Sequence, residues 1–313
     1  MRPCLLQASD QEGRQVISPQ IARLLEAAGL DPELVERIAR AAIEEDLDGG
    51  VDVTTLATVD DTATAVADFT ARAAGVAAGI PVAAAVLDAV SGGGVEIEFQ
   101  VADGARVEPG TVLFTASGLV RDLLTGERTA LNLLSHLCGI ATVTRAWVDA
   151  VEGTGAKIRD TRKTTPGLRR LEKYAVRCGG GVNHRMSLSD AAMVKDNHVV
   201  AAGGVVEAFE AVRKRWPDLP IEVEVDSLDQ LLPVVAAGAE LVLLDNFTPE
   251  RMRAAVLLVG RNEPYGRTRL EASGGLTLDQ ARAAAETGVD YLSVGALTHS
   301  APILDVGCDF RTA

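Results

Sequence analysis

The sequence predicts an α/β protein in which a mixed α and β part precedes an α/β barrel. After Gly155, short apolar strands alternate with helical segments, which is typical of a parallel sheet, closed into a barrel or left open. In residues 221–226 one face is apolar and β-branched and the other is acidic. That pattern favours a barrel, because an open sheet covered on both sides needs two apolar faces. Before Gly155, alternating segments cut by Asp-Gly and Pro-Gly turns indicate antiparallel pairing.

The first part of the chain begins with a loosely held extension and continues with helices and antiparallel strands. Apolar Leu34, Ile38 and Ala41 recur at helical spacing, and residues 95–99 alternate as a half-buried strand does. The elements predicted in order are a helix over 32–45, a strand over 62–73, a helix over 81–90, strands over 94–116 and a long helix over 118–150 with a break at Gly139.

The second part of the chain contains six predicted strands, with helical segments between most of them. The strands are predicted over residues 157–162, 192–197, 221–226, 241–246, 270–272 and 291–294. Functional side chains of α/β barrels lie at the carboxyl ends of the strands and in the loops that follow. We therefore expect the functional site in the segments that follow these six strands.

Charge and composition limit the classes of partner. The net charge is −14, which argues against general nucleic-acid binding, yet residues 157–195 hold ten Lys/Arg against three acidic residues. A basic island in an acidic chain suits a small polyanion, although a solvated helix face accounts for Arg169, Arg170, Lys173 and Arg177 equally well. The four cysteines match no zinc or disulfide pattern, and neither a leader nor a membrane span is visible. We expect a cytoplasmic protein that binds no membrane.

The strand ends supply three kinds of group. Basic residues come first, Arg162 and Lys163 after the first strand and Lys195 after the second. Glu224 and Asp245 follow in the middle, and two carboxylates beside phosphates suit Mg²⁺, the alternative being solvated loop carboxylates. The small residues of 273–275 and 294–296 let backbone N–H groups approach a phosphate, the alternative being ordinary turns. His184 and Arg185 follow three glycines in a loop that either approaches a ligand or serves as a flexible linker.

A set of motifs at these positions resembles the quinolinate phosphoribosyltransferase family. The motifs are Glu127-Arg128-Thr129-Ala130-Leu131-Asn132, Thr161-Arg162-Lys163-Thr164-Thr165-Pro166-Gly167-Leu168-Arg169, Asn183-His184-Arg185, Lys195-Asp196-Asn197-His198, Glu222-Val223-Glu224-Val225, Leu244-Asp245-Asn246, Glu271-Ala272-Ser273-Gly274-Gly275 and Ser293-Val294-Gly295-Ala296-Leu297-Thr298. The resemblance spans roughly residues 30 to 310. Two features depart from the family's pattern: a longer N-terminal extension and an extra residue in the loop over 47–54. Neither touches these motifs.

The resemblance implies a fold and an assembly. It implies an α/β sandwich domain over residues 24–130, completed by 298–313, after an extension over 1–23. It implies an open, TIM-like α/β barrel as the catalytic domain over 131–297. It also implies a homodimer with shared active sites, in which Arg128 enters the site of the neighbouring subunit.

The resemblance further implies phosphoribosyl transfer from phosphoribosyl pyrophosphate to quinolinate with decarboxylation, giving nicotinate mononucleotide, pyrophosphate and CO₂. It implies Mg²⁺ at Glu224 and Asp245, directly or through water, and no organic cofactor. The implied catalytic residues are Lys163, Lys195, Glu224 and Asp245. The implied substrate-binding residues are these four with Arg128, Thr161, Arg162, His184, Arg185, Ser273, Gly274, Gly275, Val294, Gly295 and Ala296.

Two rival functions fit parts of the pattern. One is phosphoribosyl transfer to nicotinate or a related base without decarboxylation, but five cationic or His groups suit a dianion better than a monoanion. The other is a non-catalytic binder of phosphorylated metabolites, which should avoid carboxylates such as Glu224 and Asp245 among its anion-binding groups.

Overall fold

The computed structural model describes residues 17–260 and 268–311, and the chain divides into two compact units. The first unit comprises residues 1–143, 165–179 and 301–313, and the second comprises 144–164 and 180–300. The sequence placed the domain boundary at residues 130 and 131, which lie within the helix Val120–Ala150. Most of the predicted extension, residues 1–16, lies outside the described residues.

The first unit combines helices with an antiparallel sheet. Its elements are α1 (Pro19–Ala27), α2 (Pro32–Leu47), α3 (Val53–Thr58), β1 (Thr64–Ala71), β2 (Gly75–Val76), α4 (Ile80–Ser91), β3 (Glu96–Phe99), β4 (Arg106–Val107), β5 (Val112–Leu119), most of α5 (Val120–Ala150), α6 (Arg169–Cys178) and, after the elements of the second unit, β12 (Val306–Arg311). Helix α1 begins inside the predicted extension, and the stretch predicted as strands over 94–116 is divided into β3, β4 and β5.

The four-stranded sheet of the first unit has the order β12-β1-β5-β3, with antiparallel pairing throughout. Phe69 of β1 stacks on Phe114 of β5 with ring centroids 4.3 Å apart. Helix α4 is almost entirely buried, which its Ala- and Val-rich sequence permits. The last strand, β12, pairs with β1, so the end of the chain belongs to this sheet.

The break predicted at Gly139 is wrong, because α5 runs continuously from Val120 to Ala150. Gly139 has a packing role instead. A β-carbon at this position would overlap the carbonyl oxygen of Pro302 and come within 2.9 Å of the Ile303 Cα atom. The glycine therefore lets a neighbouring backbone segment approach the helix closely.

The second unit alternates strands and helices. Its elements after the end of α5 are β6 (Lys157–Arg159), β7 (Ala192–Val194), α7 (Asp196–Ala202), α8 (Val205–Arg215), β8 (Ile221–Val225), α9 (Leu228–Ala236), β9 (Leu241–Asp245), α10 (Pro249–Val259), β10 (Arg269–Ser273), α11 (Leu278–Ala285), β11 (Tyr291–Ser293) and α12 (Ala296–His299). All six predicted strands are present, but the first two end three residues earlier than predicted. Residues 160–162 form a loop, and residues 196–197 begin α7.

The six strands of the second unit form one parallel sheet in the order β6-β11-β10-β9-β8-β7. Its edge strands, β6 and β7, are consecutive in the chain. This is the strand order of a ring in which each strand neighbours the next, opened between its first and second members. The expected open α/β barrel is confirmed. Within residues 17–260 and 268–311, no helix is both long and apolar enough to span a bilayer.

Candidate active site

The parallel sheet has one apolar face and one polar face. Successive residues of a strand point to opposite faces, and paired residues of neighbouring strands share a face. On β8, Val223 and Val225 are buried on one face, and Glu222 and Glu224 point to the other. By register, the polar face carries Arg159 on β6, Glu222 and Glu224 on β8, Asp245 on β9, Glu271 and Ser273 on β10 and Ser293 on β11.

Four side chains on or against this face form a buried ionic group, which we call the inner cluster: Arg159, His184, Glu222 and Glu271. His184 Nε2 lies 2.8 Å from Glu222 Oε2 and 3.7 Å from Glu271 Oε1. The Arg159 guanidinium donates to Glu271 Oε2, and its Nη1 atom lies 4.0 Å from Glu222 Oε1. Burial raises the pKa of Glu271 to about 7, and the charge of Glu222 acts in the same direction. Burial also raises the pKa of Glu222, against the attraction of Arg159.

The inner cluster fits an ion-paired group better than a metal centre. His184, Glu222 and Glu271 each offer one ligand atom, and these atoms lie within 4.8 Å of one another. The cationic Arg159 already pairs with Glu271 and approaches Glu222, so the two buried carboxylates have a counter-charge from the chain itself.

Asp160 fixes the loop that follows α6. Fully buried after β6, it accepts a hydrogen bond from the backbone N–H of His184 at 2.8 Å and another from the side chain of Asn183. The Arg185 N–H donates to His184 Nδ1 at 2.7 Å, and Arg185 Nη1 donates to the Ala191 carbonyl at 2.9 Å. The backbone and side chain of this loop are therefore held at several points.

Two arginines lie near each other beside this loop. Burial lowers the pKa of Arg185, and the charge of Arg162 lowers it further. Among the described residues, Arg162 Nε is buried without a hydrogen-bond partner. Two guanidinium groups that repel each other, one of them with an unsatisfied Nε–H, favour an anionic ligand between or beside them.

The outer part of the polar face, which we call the rim, carries Lys195, Glu224, Asp245 and Asn246. Lys195 Nζ donates to Glu224 Oε2 at 2.9 Å, and Asn246 Nδ2 donates to Asp245 Oδ2 at 2.8 Å. The Lys195 side chain is 46% exposed and that of Glu224 18%. In Glu224 and in Asp245, one carboxylate oxygen takes no part in these two hydrogen bonds. Mg²⁺ takes partly exposed carboxylate oxygens as ligands together with substrate oxygens. Glu224 and Asp245 therefore fit the predicted ion.

The small residues after β10 leave room for a neighbouring loop. Gly274 has φ 100° and Asn246 has φ 56°, both in the left-handed region. A β-carbon on Gly274 would overlap the Asn246 side chain and lie 2.8 Å from its backbone nitrogen. Glycine at 274 is thus required for the loops after β9 and β10 to lie against each other.

The loop after β11 lies against Lys163. A β-carbon at Gly295 would lie 3.0 Å from Lys163 Cδ and 3.2 Å from His299 Nε2. Thr298 Oγ1 donates to the Lys163 carbonyl at 2.8 Å, and the Lys163 N–H donates to Thr161 Oγ1 at 3.0 Å. The backbone of Lys163 is therefore held while its side chain stays exposed.

Fourteen of the fifteen predicted site residues belong to the second unit: twelve lie at or after the carboxyl ends of its strands, and His184 and Arg185 lie in the loop after α6. The remaining one, Arg128, is exposed on α5 in the first unit. The sequence patterns predict no role for five further residues that the structure places at or beside this site: Arg159, Glu222, Glu271, Asn246 and His299. Strand alternation places Glu222 on the same face as Glu224, and that signal could have identified it.

Cationic side chains that suit carboxylates and phosphates lie at the same end of the sheet as Glu224 and Asp245. A pure anion binder would avoid these two carboxylates. The class defined by this fold and site is therefore an enzyme that acts on anionic substrates. The family model "Quinolinate phosphoribosyl transferase, C-terminal domain" matches residues 140–309, and the corresponding N-terminal domain model matches residues 52–138. The chain belongs to the quinolinate phosphoribosyltransferase family.

Curated relatives agree with that membership. The chain is 55% identical over 271 residues to the carboxylating nicotinate-nucleotide pyrophosphorylase of Mycobacterium leprae, covering 86% of this chain and 95% of the relative. It is 40% identical over 238 residues to the human protein of the same name, covering 75% of this chain and 78% of the relative.

Solved structures share the fold. NadC from Streptococcus pyogenes superposes with a TM-score of 0.84 at 40% identity, over 90% of this chain and 99% of that one. The nicotinate-nucleotide pyrophosphorylase of Francisella tularensis superposes with a TM-score of 0.83 at 36% identity, over 89% of this chain and 96% of that one. Human nicotinic acid phosphoribosyltransferase superposes with a TM-score of 0.57 at 13% identity, over 82% of this chain and 72% of that one. This is a likeness of fold alone.

Proposed function

We propose that the chain joins quinolinate to phosphoribosyl pyrophosphate, releasing pyrophosphate and CO₂ and giving nicotinate mononucleotide. The observation that carries this proposal is the pair of neighbouring guanidinium groups, Arg162 and Arg185, where burial and the Arg162 charge together lower the pKa of Arg185. Two planar forks suit the two carboxylates of quinolinate better than the single carboxylate of nicotinate. Family membership and the names of the relatives support the same reaction.

The other site residues take roles that follow from their chemistry. Lys195 would share the quinolinate carboxylates with the two arginines, and Lys163 and Lys195 would face the phosphates. Glu224 and Asp245 would hold the ribose hydroxyls. Thr161 holds the backbone of Lys163, and the backbones of 273–275 and 294–296 would hold phosphate.

Charge determines the mechanism. Breaking the bond to pyrophosphate leaves positive charge on the ribose carbon and negative charge on the leaving group, which Lys163 and Lys195 stabilise. The pyridine nitrogen is a weak nucleophile, so holding it in line with the ribose carbon matters more than proton transfer. Once bonded to ribose, the cationic ring accepts the electron pair of the departing carboxylate as CO₂ leaves. A proton then replaces CO₂ on that carbon, and no organic cofactor is needed.

We also propose that Glu224 and Asp245 hold Mg²⁺, directly or through water. When bound, the ion would neutralise part of the pyrophosphate charge. Removal of divalent ions with a chelator should abolish turnover, and added Mg²⁺ should restore it. Full turnover in the chelated protein would remove the ion from the proposal.

A homodimer with shared sites is proposed from the resemblance and from the exposure of Arg128. Arg128→Ala and Lys195→Ala homodimers should both be nearly inactive. After the two variants are unfolded and refolded together, half the dimers are mixed and half of their sites are intact. About a quarter of wild-type activity should then return, if assembly is two-fold and random. Activity no higher than that of the parents, with mixed dimers confirmed, would place Arg128 in its own chain's site or in none.

A cytoplasmic location is proposed from the cysteines. The three that the structure describes, Cys138, Cys178 and Cys308, are free thiols, as a reducing compartment favours. Fractionation of the cells that make the protein tests this location.

The decisive assay measures CO₂ release from quinolinate in the presence and absence of phosphoribosyl pyrophosphate. Release that requires both substrates, with equimolar nicotinate mononucleotide, is the expected result. Nicotinate in place of quinolinate should give far slower nucleotide formation. Equal turnover of nicotinate would favour the rival transferase, and no turnover of either base would favour a binding protein.

A further inference from the structure

Helix α6 carries two charged residues that are fully buried, Glu172 and Lys173. Lys173 is therefore not part of a solvated helix face. Charged side chains lose hydration on burial, and buried ion pairs contribute little net stability. Stability alone gives no good reason for a carboxylate at position 172, and the contacts of that carboxylate indicate another one.

Both oxygens of the Glu172 carboxylate contact groups outside α6. Oε1 lies 2.9 Å from His136 Nε2 on α5, and Oε2 accepts a hydrogen bond from the Thr165 backbone N–H at 3.1 Å. All three residues belong to the first unit. The carboxylate therefore joins α5 to the loop that precedes α6, and it holds that loop by its backbone.

The contact with Thr165 lies just before the start of α6. Leu168, at the N-cap of this helix, has no side-chain atom that can accept a hydrogen bond. Glu172, in the first turn, reaches back past Leu168 to a donor that precedes the helix. The Leu168 N–H donates to the Thr165 carbonyl at 3.1 Å, so both backbone polar groups of Thr165 are held.

The residues held in this way adjoin two of the proposed substrate-binding cations. Thr165 lies two residues after Lys163 and three after Arg162. The Thr164 N–H donates to the Arg162 carbonyl at 3.0 Å. The Lys163 carbonyl accepts a hydrogen bond from Thr298 Oγ1 at 2.8 Å. Loss of the Thr165 anchor would therefore release the chain directly after both cations.

We propose that Glu172 is a positioning residue, whose carboxylate is oriented by His136 and holds the Thr165 N–H. It thereby fixes the backbone that presents Arg162 and Lys163 to the substrates. This inference rests on the proposed function in one respect, the contact of these two cations with substrate. The role requires a hydrogen-bond acceptor at position 172 and does not require its charge.

The first test needs no substrate. Hydrogen exchange resolved to single residues should show a protected Thr165 amide in the wild-type protein. Glu172→Met keeps an unbranched side chain of similar length but removes the acceptor, so the Thr165 amide should exchange at least about tenfold faster. Glu172→Gln keeps an acceptor and should leave this amide protected. A wild-type Thr165 amide that exchanges as fast as an unprotected loop amide would overturn the inference, whether or not the variants fold.

The second test separates positioning from loss of stability. Well below the melting temperature of each variant, Glu172→Met should lower kcat by about tenfold or more, because small displacements of a catalytic group have large effects. Glu172→Gln should stay within about threefold of the wild-type kcat, since its amide oxygen can still accept the Thr165 N–H. A normal kcat for Glu172→Met would leave only a structural role. Equal losses in both variants would show that the charge matters and not the acceptor.

Asp88→Leu is the matched control. Asp88 is a carboxylate of the same unit, 3% exposed, and it accepts a hydrogen bond from the backbone N–H of Ser18, the N-cap of α1. Its replacement also removes a buried acceptor from a backbone N–H, but far in sequence from Lys163. It should change neither kcat nor the exchange of the Thr165 amide. Losses like those of Glu172→Met would mean that general loosening of the unit accounts for both.

A double variant tests the part of His136. If His136 acts through Glu172, His136→Leu should lower kcat less than Glu172→Met does. Adding it to Glu172→Met should cause a further loss of no more than about twofold. Independent losses that multiply would show that His136 does not act through Glu172. If wild-type enzyme released no CO₂ from quinolinate, the proposed function would fail while the exchange result still stood.

Discussion

Glu222 and Glu224 lie two residues apart on the same strand and the same face, yet they occupy different environments. Glu222 is 3% exposed and contacts His184 and Arg159 inside the inner cluster. Glu224 is partly exposed on the rim and pairs with Lys195. The difference teaches that depth along the polar face, more than residue type, separates buried groups from groups that solvent or a ligand can reach.

The largest expected effect is a difference in stability between variants of these two glutamates. Glu222→Ala leaves a buried guanidinium without one of its counter-charges and a buried imidazole N–H without its acceptor, and should lower the free energy of unfolding by about 3–5 kcal/mol. Glu224→Ala breaks an exposed pair and should cost at most about 1 kcal/mol, while it abolishes most of the activity. Denaturant unfolding of both variants measures the difference. Similar stability losses would mean that the two environments are energetically alike.

If Lys163 faces the leaving group as proposed, Lys163→Ala should lower turnover by about 10²–10³-fold, because a preorganised positive charge is lost. Its exposed side chain predicts an unchanged melting temperature. Lys157→Ala is the control, since Lys157 is exposed at the start of β6, the strand that precedes Lys163, and should leave turnover unchanged. Near-normal turnover of Lys163→Ala would exclude this lysine from the reaction.

The inner cluster should also give stability a pH dependence. The pKa of Glu271 is raised from 4.5 to about 7, so between these values the folded chain keeps a proton that the unfolded chain has released. Its contribution to stability is therefore full below about pH 4.5 and is lost as the pH rises to about 7. Relative to Glu271→Gln, the wild-type free energy of unfolding should fall across this window, by no more than about 3 kcal/mol. Parallel pH profiles of the two proteins would contradict the raised pKa.

The smallest expected effect concerns the shape of a cationic side chain at constant charge. Arg185→Lys keeps the charge but loses the planar fork and its bond to the Ala191 carbonyl, so the quinolinate KM should rise by about tenfold. The measurement is made at saturating phosphoribosyl pyrophosphate. An unchanged KM would mean that charge alone suffices at this position, or that Arg185 does not touch quinolinate.

Local sequence patterns predicted the parallel sheet and its strand ends well, because strand alternation and the strand–helix repeat are short-range signals. They did not predict how deep each polar residue lies. Glu222 is buried because Arg159 and Glu271, distant in sequence, approach it from strands β6 and β10, and no local pattern encodes that approach. The assignment of residues 165–179 to the first unit likewise depends on long-range packing, such as the bond from Tyr174 to Asp103. The packing role of Gly139 is likewise not encoded by a local pattern, since Pro302 lies far along the chain.

The contact between Gly274 and Asn246 has a consequence for any exploration of sequence space. A larger residue at 274 requires both a different side chain at 246 and a relocated backbone, because the missing β-carbon would meet the Asn246 side chain and its nitrogen. Single substitutions at position 274 should therefore be rejected in nearly every background. Because no substitution at 246 removes that backbone nitrogen, and because φ at 274 is 100°, a library that aims to reshape the loops after β9 and β10 should keep glycine at 274 and vary position 246.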